Sequence, residues 1–507
     1  MMRNLKNIIA GAMIAATAVT TFTGCEKFLD RKPLTATDDD LPGGGLEGKV
    51  LGLYGAIRNS KSEPFIGDGM QNIPYIAMNS FRSDDGETVA DPGASAWHTT
   101  YDNFQYTKDD WGAGLYWNKH YVMIGQCNDA IAVADSLPNP TASTMVFVGE
   151  ARFFRAYTYF DMVRTFGDIP KINFKISDPA QGRIPKSPAA DIYQLILDDL
   201  TYAEQHLPAQ WDGYPGRLTV YAAKAMHAKV LLYRQQWAQA LALCTDVITS
   251  NKYRLVDNYY SIFKISGELN AESIFEIQAS KLAQDGDTYW SRLGQSQGVR
   301  GSGTWDLGWG WNTPTASLVA SYEAGDKRKD ATILYSNQFD GGESTGGYGQ
   351  TVPNYTNALY WNKKVYNKYS DYIAAGQGTP GNESQNTWIN QRVLRYSDVL
   401  LMGAEAANEV GGAANRDSAV AWVNKIRFRA GLGNIAFVDQ ASMRAAIKKE
   451  RRSEFAMEYD RFFDLVRWND ALSVLGPLGY QNKHRYFPIP QAAMDDNITL
   501  VQNPEWQ

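Results

Sequence analysis

Two stretches carry the side chains needed to grip a hydrated, flexible polymer. The first is Trp97-His98-Thr-Thr-Tyr101-Asp102-Asn103. The second joins Tyr289-Trp290-Ser-Arg292 to Trp305-Asp-Leu-Gly-Trp309-Gly-Trp311-Asn312. Indole and phenol rings offer flat apolar faces to sugar C–H groups, while neighbouring amide, hydroxyl and charged groups meet the sugar hydroxyls. The candidate ligand-binding residues are therefore Trp97, Tyr101, Asn103, Tyr289, Trp290, Arg292, Trp305, Trp309, Trp311 and Asn312. A competing reading stays open for the second stretch. Trp305, Leu307, Trp309 and Trp311 alternate, so on an extended segment they share one face, and one strand face is commonly core. Tyr348, Tyr355, Tyr360 and Trp361 are weaker candidates by the same logic.

Catalytic chemistry has less support. In a chain with 55 acidic residues some carboxylate pair always exists, so Asp84-Asp85, or Glu458 with Asp460, does not argue for glycoside cleavage. Asp84-Asp85-Gly86-Glu87 could hold calcium weakly but lacks the full spaced ligand loop, so the chain reads as free of cofactors, a weakly bound calcium apart. No nucleophile elbow, phosphate loop or zinc helix is present, and the five histidines are scattered. A net charge of −6 without a basic stripe argues against nucleic acid. Binding without catalysis is the expectation.

These residues must be positioned by a large body. The chain has 507 residues, of which 44% are hydrophobic, enough for a sizeable core, and nothing in it reads as a long internal linker. Its 14 tryptophans exceed what folding requires. Arg3 and Lys6 precede an apolar run from Ile8 to Phe22, and Thr23-Gly24-Cys25 follows, the pattern of a lipoprotein signal peptide cleaved before an acylated Cys25. Residues 1–24 are thus leader, 25–45 a polar tether and 46–507 a single body. Scaffold helices are expected at about 46–60, 115–250 and 390–470, with ligand-binding loops at about 64–114 and 281–381.

Within the scaffold, Thr219 to Ser250 reads as two helices in which small alanines alternate with large apolar residues, and Arg395 to Glu409 with Arg416 to Ala430 as another such pair. Leu115 to Leu137 is helical, with Asn128-Asp129 placed away from its apolar stripe. Ser187-Pro188 opens a further helix, and Glu272 to Ser280 reads as a short strand. Cys127 and Cys244 read as buried free thiols. The residues from Gly476 onward should be extended and pack back on the body.

The organising string is Gly149-Glu-Ala-Arg-Phe-Phe-Arg-Ala-Tyr-Thr-Tyr-Phe-Asp-Met-Val-Arg-Thr-Phe-Gly-Asp-Ile-Pro170. Phe153, Ala156, Tyr157, Phe160 and Val163 line one helix face, and Gly167 and Pro170 stop it. Glu150 is expected near the N-terminal end and Arg164 near the C-terminal end, while Arg152 and Arg155 must snorkel or pair with carboxylates of a neighbouring helix. Three more strings accompany it: Gly24-Cys25-Glu-Lys-Phe-Leu-Asp30, the run Glu450-Arg-Arg-Ser-Glu-Phe-Ala-Met-Glu-Tyr-Asp-Arg-Phe-Phe-Asp-Leu-Val-Arg-Trp468, and Tyr486-Phe-Pro-Ile-Pro490. Together they resemble the SusD/RagB family of outer-membrane nutrient-binding lipoproteins.

That resemblance implies an all-α, SusD-like fold, with tetratricopeptide-like helix pairs as scaffold and long loops holding minor β-structure. It implies a lipid-anchored protein of the outer membrane, facing the cell exterior, that binds oligosaccharide or polysaccharide. The implied partner is a SusC-like TonB-dependent transporter, which such proteins cover as a lid. By rough position, the family's aromatic binding arc falls in the two stretches named first. A peptide-importing homologue of the RagB kind and a lipid-anchored glycoside hydrolase are the alternatives.

Overall fold

Apolar residues at three- and four-residue steps become a series of long helices, and polar residues at their starts set where each begins. They run in order as α1 (Leu46–Ala56), α2 (Trp111–Asp135), α3 (Ala142–Phe166), α4 (Ala189–His206), α5 (Val220–Tyr233), α6 (Trp237–Thr249), α7 (Tyr396–Val410), α8 (Ala413–Arg429) and α9 (Gln440–Phe455). Asp110, Thr141, Thr219 and Asp439 cap α2, α3, α5 and α9 by accepting a first-turn N–H, which satisfies a donor that the helix itself leaves unpaired. The computed structural model describes residues 45–58, 69–71, 73–88, 97–279, 292–302, 305, 307–341, 349–354, 358–366 and 389–507. The leader, Cys25, the tether, Tyr289, Trp290, Tyr348 and Tyr355 lie outside them.

Helices adjacent in sequence pack on one another: α2 on α3, α3 on α4, α4 on α5, α5 on α6 and α7 on α8. This is the expected stacking of helix pairs, and close approach depends on small residues at the crossings. A side chain at Gly403 of α7 would sit 3.0 Å from the Trp422 ring of α8 and 3.2 Å from Cys244 of α6. The series is continuous across the long insertion, because α6 packs on α7 although some 160 residues separate their starts. Strands β2 (Ser273–Ile277) and β6 (Gln391–Arg395) pair antiparallel, with Ser273 opposite Arg395 and Ile277 opposite Gln391, and clamp the two ends of that insertion together. Two smaller pairs lie outside the clamp: β1 (Gly86–Glu87) with β3 (Thr313–Pro314), and β4 (Ile333–Tyr335) with β5 (Tyr360–Asn362). The architecture is helix-rich with little strand.

The signature helix α3 is almost wholly buried, so its charges need partners. Arg155 donates both Nε and Nη2 to Asp199 of α4, each at 2.7 Å, as the neighbouring-helix expectation requires. Arg152 lies over the Tyr202 ring, with its Cζ 4.2 Å from the centroid. Two expectations are corrected here. Asn128 does not face away from the core: it is buried, accepts from Arg155 at 2.8 Å and donates to the Ile172 carbonyl at 2.9 Å. Glu150 is not near a helix end, because α3 begins eight residues earlier at Ala142; it is buried and held by Arg217 and the Tyr54 hydroxyl.

A second set of buried charges forms a seam between the insertion and the C-terminal motif. Glu454 accepts from Arg395 at 2.9 Å, Arg429 at 2.6 Å and Arg328 at 3.3 Å. Glu272 takes Arg395 and Arg429, while Glu450 takes Arg328 and Arg427. Arg451 bridges Asp398 and Asp464, and Asp460 joins Lys229 to Arg164 of the signature helix. Burial alone would raise the Glu454 carboxyl, but its three guanidiniums hold it far below the usual range. The Glu450-to-Glu454 string is thus buried ion pairing. Cys127 and Cys244 are buried free thiols, and burial pushes both thiol pKa values up.

The C-terminal residues pack back on the body as expected. Phe487 and Ile489 are fully buried, and the Phe487 amide donates to Thr165 of α3 at 2.8 Å. They are not extended throughout, since a short helix (Gln491–Asp496) follows Pro490. The stretch 64–114, expected as loop, carries a π-turn at Ala77–Phe81, a short helix at Trp97–Asp102 and the start of α2 at Trp111.

Candidate functional site

The two loop stretches meet at a row of four indole rings. Trp111 at the start of α2 lies 5.0 Å, ring centre to ring centre, from Trp97. Trp97 lies 5.9 Å from Trp311, with the planes at 90°, and Trp311 lies 4.8 Å from Trp309. Trp111 is 45% exposed and the other three are half-buried, with Trp97 and Trp311 packed against the main core. These edge and tilted contacts are favourable aromatic geometries and stiffen the row. His98 sits among the rings, with its centre 4.1 Å from those of both Trp97 and Trp311.

Each ring is placed by local devices. Asp110 caps α2 through the Ala113 amide and also accepts the Tyr101 hydroxyl, which ties the short helix Trp97–Asp102 to the first turn of α2 and brings Trp97 beside Trp111. The 307–311 segment is laid against the short helix Arg292–Gln297 by backbone hydrogen bonds. Trp309 donates to the Gln295 carbonyl at 2.8 Å and Trp311 to the Ser296 carbonyl at 2.9 Å. A Cβ on Gly298 would approach the Leu307 carbonyl to 2.1 Å, so only glycine permits this contact. Asn312 then turns the chain in the left-handed region, at φ 55°, accepting from Ser80 at 2.8 Å and donating to Gln297 at 2.7 Å.

Of the expected ligand residues, Trp97, Trp309 and Trp311 come together. Tyr101 and Asn312 are fully buried with their polar atoms engaged, so they position the rings and present no face to a ligand. Trp305 leaves the row: it stacks on Tyr366 at 5.7 Å with planes 4° apart, over a separate apolar cluster that includes Leu307 and Trp361. The alternating segment is therefore no single strand face. Asn103 is half-buried, and its Oδ1 is buried without a partner. Arg292 opens the short helix against which the tryptophans lie, though its side chain is outside the described residues.

The Asp84-Asp85 pair, which could have held calcium weakly, is taken up by arginines. Asp84 is gripped by Arg461 at 2.7 and 2.9 Å, and Asp85 accepts from Arg452 at 2.8 Å, so arginines occupy the carboxylates a cation would need. Among the described residues no cluster of metal-ligating side chains occurs, and no helix is long and apolar enough to cross a membrane.

Sequence reasoning missed Trp111 and Glu87, and it placed His98 and Asp102 in the first stretch without counting them among the binding residues. Trp111 carried one signal, its position directly after the Asp109-Asp110 cap, where a first-turn residue projects beyond the helix body. Glu87 and Asp102 flank the row. The β1–β3 register sets Glu87 opposite Thr313, two residues beyond Trp311, and Asp102 Oδ2 accepts from the Thr88 amide at 3.0 Å and its hydroxyl at 2.7 Å. Burial raises the Asp102 carboxyl to about 7 and lowers the His98 imidazole to about 4. Clefts among the described residues lie elsewhere, including one of about 430 Å³ beside Trp117, Tyr121 and Ile176, one of about 490 Å³ beside Tyr480, Tyr486 and Trp506, and one of about 1240 Å³ between the ends of α6 and α8.

Comparison with known proteins follows the same division. A model described as the SusD family matches residues 271–483, and one described as starch-binding associating with outer membrane matches residues 68–232. The chain is 28% identical over 439 residues to SusD-like protein P2 of Formosa agariphila, covering 82% of this chain and 85% of that one. It is 27% identical over 494 residues to a SusD-like protein of Bacteroides ovatus, covering 90% and 82%. A solved laminarin-binding SusD-like protein is similar in fold, with a TM-score of 0.74 at 26% identity over 90% of this chain and 98% of that one. With both parts of the chain matched and the fold shared along nearly its whole length, the chain is a SusD-like family protein.

Proposed function

We propose that this protein is a cell-surface glycan-binding lipoprotein, which captures oligosaccharide or polysaccharide on its tryptophan row and delivers it uncut to a SusC-like TonB-dependent transporter. The observation that carries the reading is the row itself. Trp111, Trp97, Trp311 and Trp309 follow one another at 4.8–5.9 Å and keep ring surface open. A sequence of rigid aromatic faces suits a repeating chain of sugar rings better than a single small molecule, which would want an enclosed pocket. Affinity at one site need only be modest, because a polymer offers repeated sites and many copies share one surface.

Acyl chains on Cys25 would hold the protein at the outer membrane, each buried methylene adding ~0.8 kcal/mol. One similar solved protein is named as laminarin-binding, and another, from Bacteroides thetaiotaomicron, is a complex with laminarihexaose. Laminarin is therefore the first polysaccharide to try. Electrophoresis through native gels cast with laminarin, xyloglucan or starch should show retarded migration in at least one, with the polysaccharide unshortened afterwards. Shortened product would overturn the non-catalytic reading. Retention by peptides and by none of the glycans would move the ligand to the peptide class.

A further inference from the structure

We infer that the tryptophan row selects uncharged glycan chains and turns away chains bearing uronate or sulfate, with Glu87 and Asp102 enforcing the choice. This rests on the glycan-binding reading and adds a substrate class to it.

Both carboxylates are half-buried and stand at the same edge of the row. Antiparallel pairing of Gly86 with Pro314 and of Glu87 with Thr313 runs the following residue, Thr88, towards Asn312 and Trp311. Thr88 binds Asp102, which lies one helical turn beyond His98, the residue whose ring meets Trp311 at 4.1 Å. Glu87 is near enough to Asp102 for its charge to disfavour ionisation there. Asp102 Oδ1 has no protein donor among the described residues, which leaves it as an acceptor for a sugar hydroxyl.

Among the described residues, these cations are committed elsewhere. Arg82 is fully buried against the Phe462 ring, 3.9 Å from its centroid. Arg452 and Arg461 serve Asp85 and Asp84, and Lys108 donates to Gln491 at 2.6 Å. His98 is buried and stays neutral at physiological pH, so it brings no positive charge. Burial raises both carboxyls, Asp102 to about 7, so the repulsion of a sulfate or carboxylate laid beside them grows as pH rises through 7, within the ~8 Å range that physiological salt leaves unscreened. A neutral chain meets no such repulsion.

The test is affinity electrophoresis and calorimetry on the full chain with laminarin, xyloglucan and starch, each native and randomly sulfated, and with polygalacturonate. The expected result is at least tenfold weaker binding of the sulfated form of whichever glycan binds. That ratio should narrow several-fold in an E87Q/D102N double variant whose thermal melt shows it folded. Equal or tighter binding of the sulfated form, or retention by polygalacturonate alone, overturns the selectivity while leaving glycan binding intact. A sulfate preference lost in R292A would assign the row to acidic chains and overturn the selectivity in the same way. Retention by none of them removes the glycan reading and this inference together.

Discussion

Glu454 and Asp102 are both carboxylates largely withdrawn from water, yet their surroundings treat them in opposite ways. Glu454 lies in the seam with three arginines around it, and its pKa is held far down. Asp102 lies beside the tryptophan row with only Thr88 donating to it, and burial lifts its pKa to about 7. The seam is complete in itself: every charge there meets its complement inside the protein. The row is less closed, with half-exposed rings, an unpartnered His98 Nε2 and an acidic edge that meets no cation among the described residues. A protein places apolar rings at the surface and charges in the interior only when other terms outweigh the cost. In the seam that term is mutual pairing. At the row, a ligand is the natural complement.

The largest way to break this comparison is Glu454→Ala. Removing one partner from a buried ion cluster leaves Arg395, Arg429 and Arg328 undercompensated, and the expected loss is about 3–5 kcal/mol of stability by urea unfolding. A loss below about 1 kcal/mol would mean that the seam is not the stabilising region described. Trp311→Ala should act the other way round. Glycan affinity should fall roughly thirtyfold, about 2 kcal/mol as for a central contact residue, with a much smaller shift in melting temperature. If Trp311→Ala destabilised the fold as strongly as Glu454→Ala, the row would be core after all.

The two carboxylates should also separate by pH. The folded pKa of Glu454 is depressed, so its contribution is present above the unfolded carboxylate range near pH 4 and is lost as pH falls towards the folded value. The folded pKa of Asp102 is raised, so its ionised form opposes folding above about pH 7, and that cost fades as pH drops through 7 towards 4. Asp102→Asn should therefore gain stability at pH 8, on the order of 1 kcal/mol given partial solvent screening, and the gain should vanish near pH 4. An equal gain at both pH values would refute a titrating origin. Trp111→Ala is the gentlest probe: the ring is 45% exposed at a helix start, and its removal should weaken glycan binding by only ~0.5–1 kcal/mol while leaving unfolding unchanged.

Legibility differs between the same two regions. The buried charges can be anticipated because Arg155 and the Glu450-to-Glu454 string sit on strongly periodic helices, and a charge on a buried face must find a countercharge. Periodicity points to a neighbouring helix as the source of that countercharge without singling out Asp199. The row is half legible. Trp97, Trp309 and Trp311 stand out by type, but Tyr101 and Asn312 in the same strings become the buried braces that aim them. Trp305, four residues before Trp309, goes to another cluster, since non-repeating backbone carries no period from which to read a direction.

Local chemistry in the sequence decided the helices, their caps at Thr141, Thr219 and Asp439, the stop at Gly167 and the family strings, because each depends on residues within a turn or two of one another. Tertiary structure alone decided that Trp97 and Trp111 would meet Trp309 and Trp311 across about 200 residues of chain, that Trp111 would be the open ring and Tyr101 the hidden one, and that arginines would fill the Asp84-Asp85 pair. Those outcomes turn on which backbone packs against which at long range. Spacing along the chain encodes nothing about that until the helices and the β2–β6 clamp have brought the distant segments together.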